Sequence, residues 1–576
     1  MPTLPVSYLF EFDHNQTDDM QRNLIILLLL SVIITGIVSC SHDNKGMAVP
    51  NDASVAVLIN TKTLTSKVSW QEIQQNEWFR NLYSRQNDSL GKQILDDPAN
   101  SGIDITGDLA FFIKKEGRGG YMAFEGGVQN ATAFEAFATK INKGGRVSKD
   151  GDVNILNTSH RSLVAWTNNR FIYIMDVPSP PIRPTDPIEG SSFTTDSLQK
   201  FAVELFDLPR KNNLLNDDRF VSLMKETGDI HYWVNAEQYY GSLSGYLSLI
   251  SGLSVLFEGN AYGTAINFEN GKIAFKSRAF YNTKLKEMLK QYAEGKVSET
   301  TINRIPSKNV VAVFAMKYPP AALKDLIKLA GVDGFVNGFL GREGSSIDEF
   351  VKANKGDVLL SVSDFEIKPQ ELTITDEDGN QQTIKQDDMP SANVLFATSV
   401  NDKPAFDKLI NILQSRVQDF GPLASNVHFQ LSNDWFAASN SPEQVNAFLK
   451  GGGTNQFPFA SRISGHAFGG YINLQEVLKR VGPAFSDSNT KAALDASINM
   501  WQDIFMTSTG EKDDSYTGEA EINLVDKNTN SLKQLNKYLD AIQKIVHPIN
   551  NQYNVRVPFS DPVTANLAAL ETVLHP

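Results

Sequence analysis

The chain has 576 residues, with 53 Lys and Arg against 66 Asp and Glu, for a net charge of −13. A net negative chain repels phosphate backbones, and no basic cluster with interleaved aromatics offsets this, so nucleic-acid binding is disfavoured. Cys40 is the only cysteine, which excludes an intramolecular disulfide, and the length suffices to bury a large core in several domains without one.

In chain order, Met1 to Asp19 carry Glu11, Asp13, Asp18 and Asp19, acidic where a targeting segment is basic, so translation is expected to start at Met20. Arg22 then precedes an apolar run, Leu24 to Val38, broken only by Ser31, Thr35 and Gly36. The run is shorter than the roughly 20 residues needed to cross a bilayer and has the length of a secretory signal core.

The run ends in Ile37-Val38-Ser39-Cys40, which resembles the lipobox of bacterial lipoproteins. The resemblance implies cleavage between Ser39 and Cys40, a diacylglyceryl group on the Cys40 sulfur, and acylation of the new amino terminus. One acyl chain anchors only marginally, at about 0.8 kcal/mol per buried methylene, so several chains are what make attachment durable. An uncleaved span is the competing reading; the short run and the lack of a following basic stop signal weigh against it. Residues 1–39 are thus expected as signal peptide and 40–47 as a polar lipidated tether. Asp43 followed by Lys45 makes only a weak version of the acidic cluster found after the cysteine in surface-displayed lipoproteins. Cleavage leaves 52 basic and 62 acidic residues, a charge of −10.

Beyond the tether, five segments recur in the same order. VPNDASVAVLIN from Val49 pairs with IPSKNVVAVFAM from Ile305, and GDLAFFI from Gly107 with GDVLLSV from Gly356. GVQNATAFEAF from Gly127 pairs with SVNDKPAFDKL from Ser399, HYWVNAEQYY from His231 with GGYINLQEVL from Gly469, and LKEMLKQY from Leu285 with LKQLNKY from Leu532. Offsets of about 240–275 residues point to a tandem duplication, with halves at 48–300 and 301–550, a join at EGKVSETTINR, and a C-terminal tail over 551–576. Strand-length β-branched runs such as VAVLIN alternate with helical-period segments such as AFEAFATKI, AALKDLIKLAG, AFDKLINILQSRV and SLKQLNKYLDAIQKI. Asn270-Gly271 and Asp378-Gly379 suit hairpin turns. Five prolines make VPSPPIRPTDPIEGSS, from Val177, a loop. The expected fold class is α+β: two homologous halves with mostly antiparallel sheets packed against helices on one face.

The opening VPNDASVAVLIN, its strand-to-helix continuation, the later GDLAFFI and the repeated layout are together similar to a family of Bacteroidota envelope lipoproteins catalogued only as a domain of unknown function. The resemblance implies an acylated protein of the cell envelope, in the outer membrane and facing the periplasm or the surface, with paired α+β halves. It brings no catalytic or binding residues.

Local motifs favour packing over chemistry. Asn60, Asn235 and Asn473 each follow a strand and precede a helical segment, as caps do, and Pro319-Pro320 stands at the fourth such junction. The eight histidines show no three- or four-residue spacing and no free thiol accompanies them, so no metal and no cofactor are expected. TDEDGN from Thr375 puts Ile374 and Lys385 where a calcium loop needs ligands. EKDDSYTGE from Glu511 reads as an acidic turn, EGRGGYMAFEGG from Glu116 as a hairpin, and GSLSG from Gly241 lacks the register of a nucleophile elbow. The uncharged stretch Tyr239–Phe257 reads as a buried or interfacial helix that could line an apolar groove for a lipid tail or a peptide. The expected function is a lipid-anchored, non-enzymatic binding or assembly module whose ligand cleft lies at the seam between halves. The rivals are an envelope hydrolase whose carboxylates converge only in three dimensions, and a purely structural component.

Overall fold

The computed structural model describes residues 47–546, apart from 86–88, 118, 143–144, 160, 178–192, 241–251, 293–294, 376–380, 417–426, 454 and 486. Ser39, Cys40, the leader, the proline-rich loop, the Asp378-Gly379 tip, GSLSG and the 551–576 tail therefore lie outside the described residues.

Among the described residues the β-branched and aromatic runs form one antiparallel sheet of 18 strands. The first ten are β1 (Val55–Ile59), β2 (Leu109–Glu116), β3 (Gly119–Gly127), β4 (Val147–Asp150), β5 (Val153–Ser159), β6 (Ser162–Trp166), β7 (Arg170–Asp176), β8 (Ile230–Asn235), β9 (Ala261–Glu269) and β10 (Lys272–Phe280). The remainder are β11 (Val310–Lys317), β12 (Asn354–Thr375), β13 (Gln381–Val400), β14 (His428–Leu431), β15 (Trp435–Ser439), β16 (Phe468–Ile472), β17 (Trp501–Lys512) and β18 (Ser515–Leu524). Hydrogen-bonded neighbours run β4-β5-β6-β7-β3-β2-β1-β8-β9-β10 and then β18-β17-β16-β11-β12-β13-β15-β14. The two series meet where β10 pairs with β18. Read outward from that seam, the β18–β14 order repeats the order from β10 to β6.

Two expectations are corrected. Separate sheets were expected for the two halves; the β10–β18 ladder makes them one, because each half ends its meander on a strand with an unpaired edge and the two edges satisfy each other. Helices were expected on one face only, yet β1–β3 and β5–β7 bury side chains on both. Ile172 and Ile174 of β7 face a core closed by Leu198, Leu205 and Phe220, while Phe171 and Tyr173 face Phe134 and Phe137. The continuous apolar run FIYI already requires two covered faces.

The halves also exchange helices. Ser531–Val546 packs on the first half: Asn76 Nδ2 donates to Asn536 Oδ1 at 2.7 Å, the Glu77 N–H to Asp540 Oδ1 at 2.6 Å, and Lys533 pairs with Glu72 at 2.9 Å. Thr283–Leu289 packs in turn on Pro320–Leu329, and just beyond it the Tyr292 hydroxyl donates to Asp325. Asn60, Asn235 and Asn473 accept from the N–H groups of Thr63, Gln238 and Glu476 at 3.1, 3.2 and 3.0 Å, so all three are helix caps. Pro320 is the first residue of its helix.

The described chain begins in a clamp. Asn213 Nδ2 donates to the Met47 carbonyl at 2.7 Å, and the Leu214 N–H donates to Val49 at 2.7 Å. The Ala48 N–H donates to Glu125 Oε1 at 2.8 Å. Glu125 is fully buried, and its Oε2 has no hydrogen-bond partner among the described residues. Burial pushes its carboxyl up to about 7, against the pull of Arg170 and the Ala48 N–H. The unfolded carboxyl releases its proton near 4.5, so the folded state is increasingly penalised as pH rises from there to about 7, and by a constant amount above. Glu125→Gln is therefore expected to gain stability relative to wild type between pH 5 and pH 8, by at most about 3 kcal/mol in urea unfolding. A difference between the two proteins that does not vary with pH would contradict this.

Candidate functional site

A strand buried on one face turns alternate side chains to that face, so pairing register shows which residues of the two series occupy equivalent places. Val57 of β1 stands opposite Phe111 and Tyr232, and Phe111 opposite Phe124. Phe314 of β11 likewise stands opposite Leu360 and Gly470, and Leu360 opposite Phe396. Phe124 and Phe396 are thus counterparts, as are Phe171 and Phe436.

Their surroundings differ. Phe124 is 4% exposed. Its face is filled by Phe134, stacked on Phe171 at 5.1 Å and edge-on to Trp166 at 5.7 Å, and by Phe137, Leu64 and Ile94, with Leu532 of the exchanged C-terminal helix packed alongside. Phe396 is 39% exposed and Met316 40%. In this half Phe406 of the helix Lys403–Arg416 still stacks on Phe436 at 5.4 Å. The helix Pro320–Leu329, however, buries none of its residues.

The space left is a cavity of about 1400 Å³, larger than the roughly 300–1,000 Å³ of ordinary small-molecule sites. Its floor is the sheet from β18 to β15, including Met316, Val358, Phe396, Phe436 and Phe468. Its walls are the helices Thr283–Leu289, Pro320–Leu329 and Lys403–Arg416, through Leu285, Met288, Leu323, Leu326, Leu409 and Leu413. One end is lined by Tyr240, Leu256, Phe257, Tyr262 and Tyr281 of the first half together with Tyr516.

The cations of the lining are matched within the protein. Lys290 lies 3.4 Å from Glu511, and Lys317 Nζ lies 2.7 Å from Asp357 while donating to the Lys355 carbonyl at 2.9 Å. Burial raises the hydroxyl pKa of Tyr262, Tyr281 and Tyr318 above the usual tyrosine value, which keeps them neutral. Glu511 is the one carboxylate among the described lining residues, so the paired acids that a glycosidase-type hydrolysis needs are not assembled here. The arrangement can desolvate hydrocarbon. Among the described lining residues there is no nucleophile–base pair.

Several sequence expectations meet the structure here. The groove expected beside Tyr239–Phe257 coincides with the cavity at Tyr240, Leu256 and Phe257, with Tyr240 and Phe257 rings 5.1 Å apart; residues 241–251 lie outside the described residues. The three capping asparagines are not in the lining. His231 is a core residue whose Nε2 lies 3.0 Å from the Glu226 carbonyl and whose pKa burial depresses. Among the described residues no group of His, Cys, Asp and Glu could hold a metal ion. The EKDDSYTGE turn is the β17–β18 hairpin, with Asp513 and Asp514 at positive φ and paired to Arg278 and Lys286. The EGRGG stretch is the β2–β3 hairpin, with Gly117 at φ +57°. Sequence reasoning missed the three wall helices as site elements, because their apolar stripes look like those of any core-facing helix. No helix among the described residues is long and apolar enough to cross a membrane.

Comparisons with known proteins add little to this geometry. Crystal forms I, III and IV of TP0453 are similar to part of the chain at 11–12% identity, covering 44–45% of this chain and 89–90% of theirs, with TM-scores of 0.22–0.23. Scores that low transfer neither fold nor function. No curated protein matches the chain. Residues 46–328 match the family model described as a domain of unknown function (DUF4836).

Proposed function

We propose that the protein is a lipid-anchored component of the cell envelope that binds hydrocarbon chains in the cavity of its second half, as a binding module and not as an enzyme. The observation that carries the reading is the pair Phe124 and Phe396: one sheet position, sealed in the first half and left open over about 1400 Å³ in the second. An exposed apolar surface of this size is unfavourable in water unless something covers it. From β18 to β13 the floor spans five strand spacings, about 24 Å, room for an acyl chain that covers about 15 Å in one bilayer leaflet.

We read the halves as two copies of one duplicated unit, a closed copy and an opened one. The repeated strand order supports this. Attachment through Cys40 is supported by the Ile37–Cys40 pattern. With Met47 clamped to Asn213, the seven-residue tether reaches at most about 25 Å, which holds the fold close to the anchoring membrane.

Phe396→Arg is expected to weaken binding of the apolar fluorophore N-phenyl-1-naphthylamine at least about tenfold while the unfolding midpoint stays near wild type. Phe124→Ala, in the sealed half, should instead cost roughly 3–5 kcal/mol of stability. Unchanged fluorophore binding in Phe396→Arg would contradict the proposal. Cells fed radioactive palmitate are expected to label the wild-type chain and not Cys40→Ala; equal labelling would refute the anchor.

A further inference from the structure

At one end of the cavity four tyrosines gather beside the ion pair of Lys290 with Glu511, the cross-strand partner of Tyr516. Tyr240, Tyr262 and Tyr281 arrive from the first half and Tyr516 from β18. The Tyr281 ring lies 5.4 Å from Tyr516 and 6.4 Å from Tyr262. The hydroxyls of Tyr262 and Tyr281 make no hydrogen bond among the described residues. Each phenol offers one neutral donor and an acceptor on an apolar ring.

Charge argues in the same direction. The two lysines of the lining are matched by Glu511 and Asp357, so the described lining holds no cation in excess. A phosphate or carboxylate entering here would shed its water with no countercharge to receive it, a heavy cost in an apolar site. An ester or a hydroxyl needs only the hydrogen bonds that phenols supply.

We infer that the cavity selects an uncharged amphiphile of the glyceride class, its ester and hydroxyl groups held at Tyr262 and Tyr281 and its chains laid over the sheet floor toward Phe396. This rests on the reading of the cavity as a hydrocarbon site and adds its headgroup preference.

The test uses the full chain loaded with N-phenyl-1-naphthylamine and displaced by two soluble lipids with the same chains, dioctanoylglycerol and dioctanoylphosphatidylglycerol. Dioctanoylglycerol is expected to displace the probe at a concentration at least about tenfold lower than its anionic counterpart. Tyr281→Phe should weaken dioctanoylglycerol about three- to tenfold, the worth of one hydrogen bond, with probe affinity unchanged. Equal or tighter binding of the anionic lipid, or no effect of Tyr281→Phe, would overturn the headgroup preference and leave the hydrocarbon site standing. Failure of the probe and both lipids to bind would defeat both.

Discussion

Eight residue pairs between β10 and β18 hold the two halves in one sheet. Without that ladder each half would present an unpaired edge strand, a ready template for other chains. With it, the edges satisfy each other, the terminal helices cross to the opposite halves, and tyrosines from β9, β10's end and β18 gather at one place. Tyr281 directly follows β10 and Tyr516 lies on β18, so the end wall of the cavity exists only because this pairing exists.

Against that common frame the halves diverge in how they finish a core. Phe134 and Phe406 begin equivalent helices after equivalent strands, and each stacks on its own β7 or β15 phenylalanine. The first half then adds Leu64, Ile94 and Phe137 and closes; the second leaves Met316 and Phe396 half covered. A filled core contributes stability, and an unfilled one of the same design gives that contribution up. The apolar surface exposed at Phe396, where the matching strand position of the first half is sealed, is what the proposed ligand would cover. The surroundings fit: lysines already matched, hydroxyls kept neutral, a floor several strands wide.

What was legible in the sequence was local. Asn60, Asn235 and Asn473 act as caps, and Asn270-Gly271 makes a hairpin, because their hydrogen bonds close within a few residues. The gapless pairing of VPNDASVAVLIN with IPSKNVVAVFAM sets Val57 against Val313, one residue short of Phe314, its counterpart by strand register, because β11 carries a bulge between Val310 and Ala312 that the sequence does not mark. The β10–β18 join was not visible, since an alternating strand carries no mark of which distant edge it will meet. Nor was the cavity, apart from its border at Tyr240, Leu256 and Phe257. Phe124 and Phe396 sit in similar strands and read alike; what separates them is packing contributed by residues far away in the chain, such as Leu532.

The central claim is that the second half holds hydrocarbon where the first holds core. Native mass spectrometry of the protein released from its own membranes tests it most directly, once the mass of any covalent anchor is allowed for. The account predicts a population carrying about one noncovalently bound, acyl-bearing molecule per chain, released when the fold is denatured. A chain that consistently emerges at its bare polypeptide mass, folded and with nothing bound, would contradict it.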